Sequence, residues 1–285
     1  MSEVGAVVCF LLCLMGGLSL VLVFVQDSLG KHGEDGELGD EVVISDAAFP
    51  GLVATAQLPA RVAGRNVFFV HVPKTGGTSL SNAAREALGA RFVGNVCGST
   101  KFACRRAVPP SMRGQCVRRG LLFSQEILSD RLVWQWPDQC KTQNTTVFFS
   151  LVRDPVSWII SAYGHCIRLR GRSYCGDNIT QSIQRRSFYF TRRPFQSSFL
   201  GSLLRRPEFP LVLCRTECYS QCLLFLNHFL RTRRRLRRFR SNVFKGSLSY
   251  PESAQQLRVL ANVHFAEDVG LYAKFQDRCF LYRPK

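Results

Sequence analysis

The feature that most constrains the fold is the segment Val67–Leu80, which has the sequence VFFVHVPKTGGTSL. Its first six residues form a run of high β-propensity, interrupted by one histidine, and the run stops at Pro73. A helical pattern begins at Thr78. The segment therefore predicts a strand, a tight turn and the start of a helix, an arrangement in which backbone N–H groups converge on an anion.

The predicted turn carries two glycines and one lysine. Gly76 and Gly77 allow the backbone to approach a ligand closely, and Lys74 adds a positive charge. The chain contains neither the Walker A pattern G-x-x-x-x-G-K, in which the lysine follows the glycines, nor the dinucleotide pattern G-x-G-x-x-G. A purely structural turn is the alternative, but the hydroxyls and charge around the glycines exceed what a turn requires. We expect a phosphate or sulfate site here.

The N-terminal segment Val4–Val25 is uncharged and mostly apolar over 22 residues. A helix of that length spans roughly 33 Å, enough to cross a bilayer. A cleaved signal peptide is the alternative, but its apolar core is usually shorter and follows a basic start. We expect a retained membrane anchor within residues 1–25, an acidic flexible stem over residues 26–65, and one folded domain over residues 66–285.

Cysteines and glycosylation acceptors indicate the compartment of that domain. Ten cysteines follow the anchor, a density typical of an oxidising environment, although their pairing cannot be deduced from the sequence. Asn144 and Asn178 each stand in an N-x-[ST] acceptor triplet. From residue 51 onward, 37 Lys and Arg residues stand against 12 Asp and Glu residues. A lumenal domain of that charge favours an acidic glycan or an anionic cofactor as partner rather than nucleic acid.

The remaining pattern alternates between strands and helices. Short apolar runs at 120–123 and Thr146–Val152 predict further buried strands, and helical patterns cover residues 156–170, 218–239 and 252–280, the last broken near His264. Such alternation predicts an α/β domain with a parallel sheet flanked by helices.

A second motif follows the strand Thr146–Val152, where the sequence continues as RDPVSWIISAY from Arg153. Pro155 is typical of the first turn of a helix. With the helix beginning there, Ser161 lies two turns in, and Arg153 stands just before it with a guanidinium able to bind a phosphate through two hydrogen bonds. Taken alone, the motif is more typical of a capped helix start.

Together the two motifs resemble those of the Golgi sulfotransferases that use 3′-phosphoadenosine-5′-phosphosulfate (PAPS), in particular the heparan sulfate 2-O and 6-O enzymes. Lys74–Ser79 match that family's P-K-T-G-G-T loop, and Arg153, Pro155, Ser161 and Tyr163 match its R-D-P-x-x-R-x-x-S-x-Y element, as does Asp154. The resemblance covers residues 66–280. It implies a P-loop-like sulfotransferase fold, a type II Golgi membrane protein and sulfate transfer to a glycan hydroxyl.

The resemblance also implies roles for individual residues. Lys74 would bind the bridging oxygen between sulfate and 5′-phosphate, and Arg153 and Ser161 would hold the 3′-phosphate. The 5′-phosphate would be bound by the backbone N–H groups and hydroxyls of the loop, at Thr75, Gly76, Gly77, Thr78 and Ser79. No metal is implied.

The chain departs from the family pattern in two places. Where family members carry a histidine that acts as general base, after the second strand, this chain has LFSQE and no histidine, which leaves Glu126 as the expected base. His71 and His165 are alternatives, with packing expected for His71 and a helix-surface position for His165. Trp158 replaces the second arginine of the family motif. The rival interpretation is an inactive glycan-binding protein of the same fold, and a lumenal kinase is a more distant one.

Two further patterns remain ambiguous in the sequence. Residues 231–240 contain seven arginines, which suits either a contact with an acidic glycan or a solvated basic helix. Cys214, Cys218 and Cys222 recur every four residues; disulfides or core packing explain them better than zinc, because no C-x-x-C or histidine partner accompanies them.

Overall fold

The computed structural model describes residues 49–58, 66–94, 122–125, 146–191, 195–237 and 250–283. The expected anchor and most of the stem lie outside these ranges, and so does Asn144. Among the described residues, no helix combines the length and the apolar character needed to cross a bilayer. The predicted anchor therefore stays a prediction.

The described residues form one sheet of seven strands in the order β1-β7-β6-β5-β2-β4-β3. The strands are β1 (Val53–Thr55), β2 (Asn66–Val70), β3 (Phe92–Gly94), β4 (Leu122–Gln125), β5 (Thr146–Val152), β6 (Leu211–Arg215) and β7 (Phe280–Arg283). The five strands from β6 to β3 run parallel to one another, while β7 is antiparallel to β6 and β1 is antiparallel to β7. The predicted parallel sheet is confirmed, with two antiparallel strands added at one edge.

Seven α-helices accompany this sheet in the described part of the chain. They are α1 (Gly77–Leu88), α2 (Pro155–Cys175), α3 (Ile179–Gln184), α4 (Gln196–Arg205), α5 (Tyr219–Phe229), α6 (Ala254–His264) and α7 (Ala266–Ala273). Gly171, with φ 76°, interrupts α2 where the predicted helix ends. The predicted break near His264 is also confirmed. The predicted helix over 218–239 is too long, because α5 ends at Phe229, and the strand β7 was not predicted.

The helices cover both faces of the sheet. Side chains of successive residues on β2, such as Phe68 and Phe69, belong to two different apolar cores, one on each face of the sheet. Helices α1 and α5 pack on one face, and α2, α3, α4, α6 and α7 pack on the other. Because β2 and β5 are covered on both faces, all their residues are buried, which explains why their sequences are mostly apolar.

The sheet also includes residues that the sequence analysis assigned to the stem. Strand β1 pairs with β7, with Val53 opposite Tyr282, and the side chains of Phe49 and Leu52 are buried in the core. The folded unit therefore includes residues well before the expected boundary at Asn66.

Three disulfides tie the described elements together. They join Cys166 to Cys175, Cys214 to Cys222, and Cys218 to Cys279. The disulfide interpretation of the cysteines at 214, 218 and 222 is therefore confirmed. Within the described ranges, no group of His, Cys, Asp and Glu side chains is arranged as a metal site.

Candidate active site

The two sequence motifs meet at one end of the central strands of the sheet. They follow the carboxyl ends of the adjacent parallel strands β2 and β5. After β2 the chain enters α1 on one face of the sheet, and after β5 it enters α2 on the opposite face. The two connections therefore diverge and leave a crevice between the strand ends, the place where open α/β sheets bind their ligands.

The turn that enters α1 depends on its glycines. Gly76 has φ 91°, a left-handed conformation that favours glycine, and it precedes the first turn of α1. A Cβ atom on Gly77 would lie 2.0 Å from Cδ2 of His71, so this position has no room for a side chain. The start of an α-helix favours an anion because its first N–H groups carry a partial positive charge, and α1 starts at this crevice. The predicted strand, turn and helix are thus all present.

The loop is pinned from two sides through Thr75. The hydroxyl of this buried residue donates to the carbonyl of Val72 at 2.8 Å, so it serves the turn itself. The carbonyl of Thr75 in turn lies 3.0 Å from the hydroxyl of Thr216, which is also 3.1 Å from the carbonyl of Val152. Thr216 thereby joins the ends of β2, β5 and β6.

Lys74 contacts a histidine from the second motif. Its ammonium lies 2.8 Å from Nδ1 of His165, so the lysine donates and the neutral imidazole accepts. Lys74 has φ 68°, an unusual conformation for a non-glycine residue and one that is concentrated at functional sites. Burial first, and then the charges of Lys74 and Arg168, lower the pKa of His165 to about 4. The expectation of a helix-surface role for His165 is wrong, because α2 presents it to the loop.

Arg153 links the second motif to the first. Its guanidinium donates through Nη1 to the carbonyl of Lys74 at 3.2 Å. Burial lowers the pKa of Arg153, an effect that the carboxylates of Glu217 and Asp154 oppose. Asp154 caps α2 by accepting the N–H of Ser157 at 2.7 Å. The motif is thus a capped helix start and, in addition, brings a cation to the loop.

The backbone of Arg153 is held by a residue that the sequence analysis did not identify. The N–H of Arg153 donates to Oε1 of Gln196 at 2.9 Å, and Nε2 of Gln196 donates to the carbonyl of Arg153 at 2.8 Å. Gln196 is fully buried at the start of α4. The carboxylate of the buried Asp268 accepts three N–H groups there, from Phe195, Gln196 and Ser197.

Trp158 contacts the turn that carries Lys74. Its indole N–H donates to the carbonyl of Pro73 at 2.9 Å, and the ring stacks on Phe195 with centroids 4.4 Å apart. The residue that replaces the second arginine of the family motif is therefore a fully buried support for the lysine-bearing turn.

The other candidate residues fall into four groups. Ser161 is three residues after Trp158 and four before His165, and so shares the face of α2 that those two direct at the loop. Thr78 is exposed and Ser79 half-buried in the first turn of α1. His71 stacks on Phe69 with centroids 5.7 Å apart, in agreement with the expected packing role. Glu126 lies outside the described residues, so its assignment as the base stays a prediction.

The comparisons with known proteins add little. The chain matches no protein-family model, and it matches none of the curated proteins. Among solved structures it is similar to a sulfotransferase from Alicyclobacillus acidocaldarius at 18% identity and a TM-score of 0.39, over 75% of this chain and 95% of that one. A TM-score of this size is too low to assign a family.

The arrangement is suited to binding an extended anion. A helix start, the ammonium of Lys74 and the guanidinium of Arg153 converge on one crevice, and the half-buried imidazole of His165 adds a neutral proton acceptor. Such a site can neutralise charge that develops on a phosphate or sulfate leaving group.

Proposed function

We propose that the protein transfers a sulfuryl group from PAPS to a hydroxyl of an acidic glycan and releases adenosine 3′,5′-bisphosphate. The observation that carries this proposal is the contact between Arg153 and the carbonyl of Lys74. It brings the two motifs, which lie 79 residues apart, to one crevice, as a ligand with phosphates at both its 3′ and 5′ positions requires.

Lys74 and the start of α1 provide the chemistry at the sulfate end. As the acceptor oxygen bonds to sulfur, the bond from sulfur to the bridging oxygen breaks, and its electron pair stays on the 5′-phosphate. The ammonium of Lys74 offsets that charge, and the N–H groups of Gly77, Thr78 and Ser79 hold the phosphate. The backbone of Lys74 is left-handed, and its ammonium contacts His165 of the second motif.

Arg153 and Ser161 hold the 3′-phosphate. Gln196 fixes the backbone of Arg153, and Ser161 lies on the face of α2 that supports the loop. A guanidinium held in this way can bind phosphate through two parallel hydrogen bonds. The 3′-phosphate distinguishes PAPS from ordinary nucleotides, so we expect Arg153 to determine selectivity.

The acceptor proton requires a base, for which the chain offers two candidates. His165 contacts Lys74 and is neutral near pH 7 because its pKa is lowered to about 4. An arriving sulfate draws the ammonium of Lys74 away from Nδ1, which frees the one ring nitrogen of the neutral imidazole that can accept a proton. The sulfate also offsets the charge of Lys74, which is one cause of the lowered pKa, and so makes the imidazole more basic. Glu126 is the second candidate. We favour His165, because its imidazole contacts the lysine that would bind the sulfate.

The compartment proposed is the Golgi lumen, behind a single N-terminal anchor. Three disulfides are typical of an oxidising compartment, and the strong positive charge suits an acidic glycan acceptor.

Transfer of radiolabelled sulfate from PAPS to a panel of desulfated glycosaminoglycans tests the reaction. We expect Lys74→Ala to abolish transfer while the protein remains folded, and Arg153→Ala to reduce the preference for adenosine 3′,5′-bisphosphate over ADP in calorimetry. Near-normal turnover by Lys74→Ala contradicts the assignment of the loop. Glycan binding without any transfer by the unmodified protein identifies the inactive glycan-binding protein instead. Comparing His165→Ala with Glu126→Gln separates the two candidate bases.

A further inference from the structure

The arginine-rich segment after α5 has a defined, non-helical structure. The hydroxyl of Thr232 and the N–H of Leu236 both donate to Oδ1 of Asn227, each at 2.7 Å. The side chain of Leu236 is buried in the core beneath α1 and α5. The chain between these contacts is therefore a closed loop, residues 231–237, hereafter the arginine loop. The expectation that a helix continues through it is wrong.

This loop displays a concentrated positive charge. Its five arginines are all exposed, namely Arg231, Arg233, Arg234, Arg235 and Arg237. Within the described ranges, none of them forms an ion pair with an acidic side chain. Like charges held this close repel one another, so the Asn227 contacts and the burial of Leu236 maintain an arrangement that a bound anion would stabilise.

The arginine loop and the candidate active site lie at opposite ends of the strands. Helix α5 begins just after Thr216, which contacts the phosphate loop, and packs back along the sheet through Phe225, whose ring is 5.9 Å from that of Phe149. Its eleven residues cover about 16 Å. At its far end the guanidinium of Arg91, which follows the C-terminus of α1, donates to the carbonyl of Leu230 at 2.9 Å. The loop is therefore a second surface, separate from the site of chemistry.

We propose that the arginine loop binds a sulfated or carboxylated polysaccharide at a distance from the reaction centre. Arginine suits this ligand because its planar guanidinium binds carboxylate and sulfate groups through paired hydrogen bonds. Three disulfides are typical of a protein in an oxidising compartment, where a polysaccharide is a more common partner than nucleic acid. The idea that this polysaccharide is also the sulfate acceptor rests on the proposed function. The idea that the arginine loop binds it does not. A polymer that contacts both the arginine loop and the candidate active site binds more tightly than a short oligosaccharide that reaches only one of them.

The test combines the substitutions Arg233→Ser, Arg234→Ser and Arg235→Ser in one variant of the full chain. The control removes the same charge from three exposed arginines elsewhere, by Arg170→Ser, Arg258→Ser and Arg278→Ser. Binding to heparin is measured by calorimetry over a range of salt concentrations, without PAPS. We expect the loop variant to lose at least about tenfold in affinity near 0.15 M salt, with a shallower salt dependence, while the control stays near the unmodified protein.

Transfer assays with long and short acceptors complete the test. The loop variant should raise KM for the long polysaccharide and leave turnover of a tetrasaccharide unchanged. Equal loss in both variants would overturn the proposal, because net charge alone would then explain binding. Tighter binding of a DNA duplex than of heparin, lost in the loop variant, would also overturn it. If the unmodified protein binds heparin but transfers no sulfate, and the loop variant loses that binding, the proposal for the arginine loop is supported and the proposed function is contradicted. The two failures are therefore distinguishable. Thermal unfolding of both variants verifies that they are folded.

Discussion

Substitution of Gln196 by alanine should loosen Arg153 without removing any group proposed to touch the co-substrate. The amide of Gln196 closes two hydrogen bonds with the peptide groups of Arg153, at 2.9 and 2.8 Å, and is fully buried. Alanine removes both partners at once. The N–H and carbonyl of Arg153 then lose their acceptor and donor at the point where β5 ends and α2 begins.

The magnitude follows from these two contacts. Each hydrogen bond contributes about 1 kcal/mol net, and a buried polar group left unsatisfied costs roughly 1–3 kcal/mol. Partial access of water to this half-buried site limits the total to about 2–4 kcal/mol. For a domain of this size, 1 kcal/mol shifts Tm by about 2–4 °C, so we expect a decrease of about 4–16 °C. A displacement of Arg153 on the order of 1 Å is enough to weaken phosphate binding substantially.

Two measurements test this reasoning, namely thermal unfolding and calorimetric binding of adenosine 3′,5′-bisphosphate. Gln196→Glu is the matched control, because its carboxylate keeps the acceptor for the N–H of Arg153 but cannot donate to the carbonyl. We expect alanine to lower both stability and affinity, with a preference for 3′-phosphorylated ligands that declines in parallel. A variant that is destabilised and yet binds adenosine 3′,5′-bisphosphate as tightly as the unmodified protein would refute the link between Gln196 and the 3′-phosphate.

Two further predictions concern His71. Gly77→Ala should destabilise the fold by about 1–3 kcal/mol, because the new methyl group overlaps the imidazole of His71, and adding His71→Ala should recover part of that loss in urea unfolding. Burial, then the charge of Lys74, lower the pKa of His71 from 6.5 to about 4, so only the unfolded chain takes up this proton between those values. The free energy of unfolding should therefore decrease as the pH falls from 6.5 to 4, by up to about 3 kcal/mol from this residue, and His71→Asn should flatten the dependence; an unchanged slope would contradict this.

The central strands and the site loop could be predicted from the sequence because their signals are local. A strand buried on both faces needs a mostly apolar sequence, and β2 and β5 each have one. The turn after β2 needs glycine at Gly76 for its positive φ and at Gly77 for lack of space, and both requirements are visible as a Gly-Gly pair. Because each motif directly precedes its helix in the sequence, the position of α1 after the first motif and of α2 after the second could be predicted as well.

The parts that could not be predicted depend on partners distant in sequence. Strand β1 has three residues and exists because β7, more than 220 residues later, offers it an edge. The end of α5 is set by Asn227, whose side chain closes the arginine loop instead of leaving the helical pattern to continue. Gln196 has no local signature as a clamp, since its role requires β5 and α4 to meet across 43 residues.

Trp158 stands at the position of the second arginine in the motif that the sequence resembles. With tryptophan at this position, the second motif brings a single guanidinium, that of Arg153, to the loop within the described residues, while the indole supports the carbonyl of Pro73. In the proposed function, affinity for the 3′-phosphate then depends on how well one cation is positioned rather than on how many are present. The hydrogen bonds from Gln196 to Arg153, and those of Asp268 that hold the start of α4, supply that positioning. Anion binding at this site should accordingly be more sensitive to Gln196, which touches no ligand, than to exposed arginines on the same face of the protein.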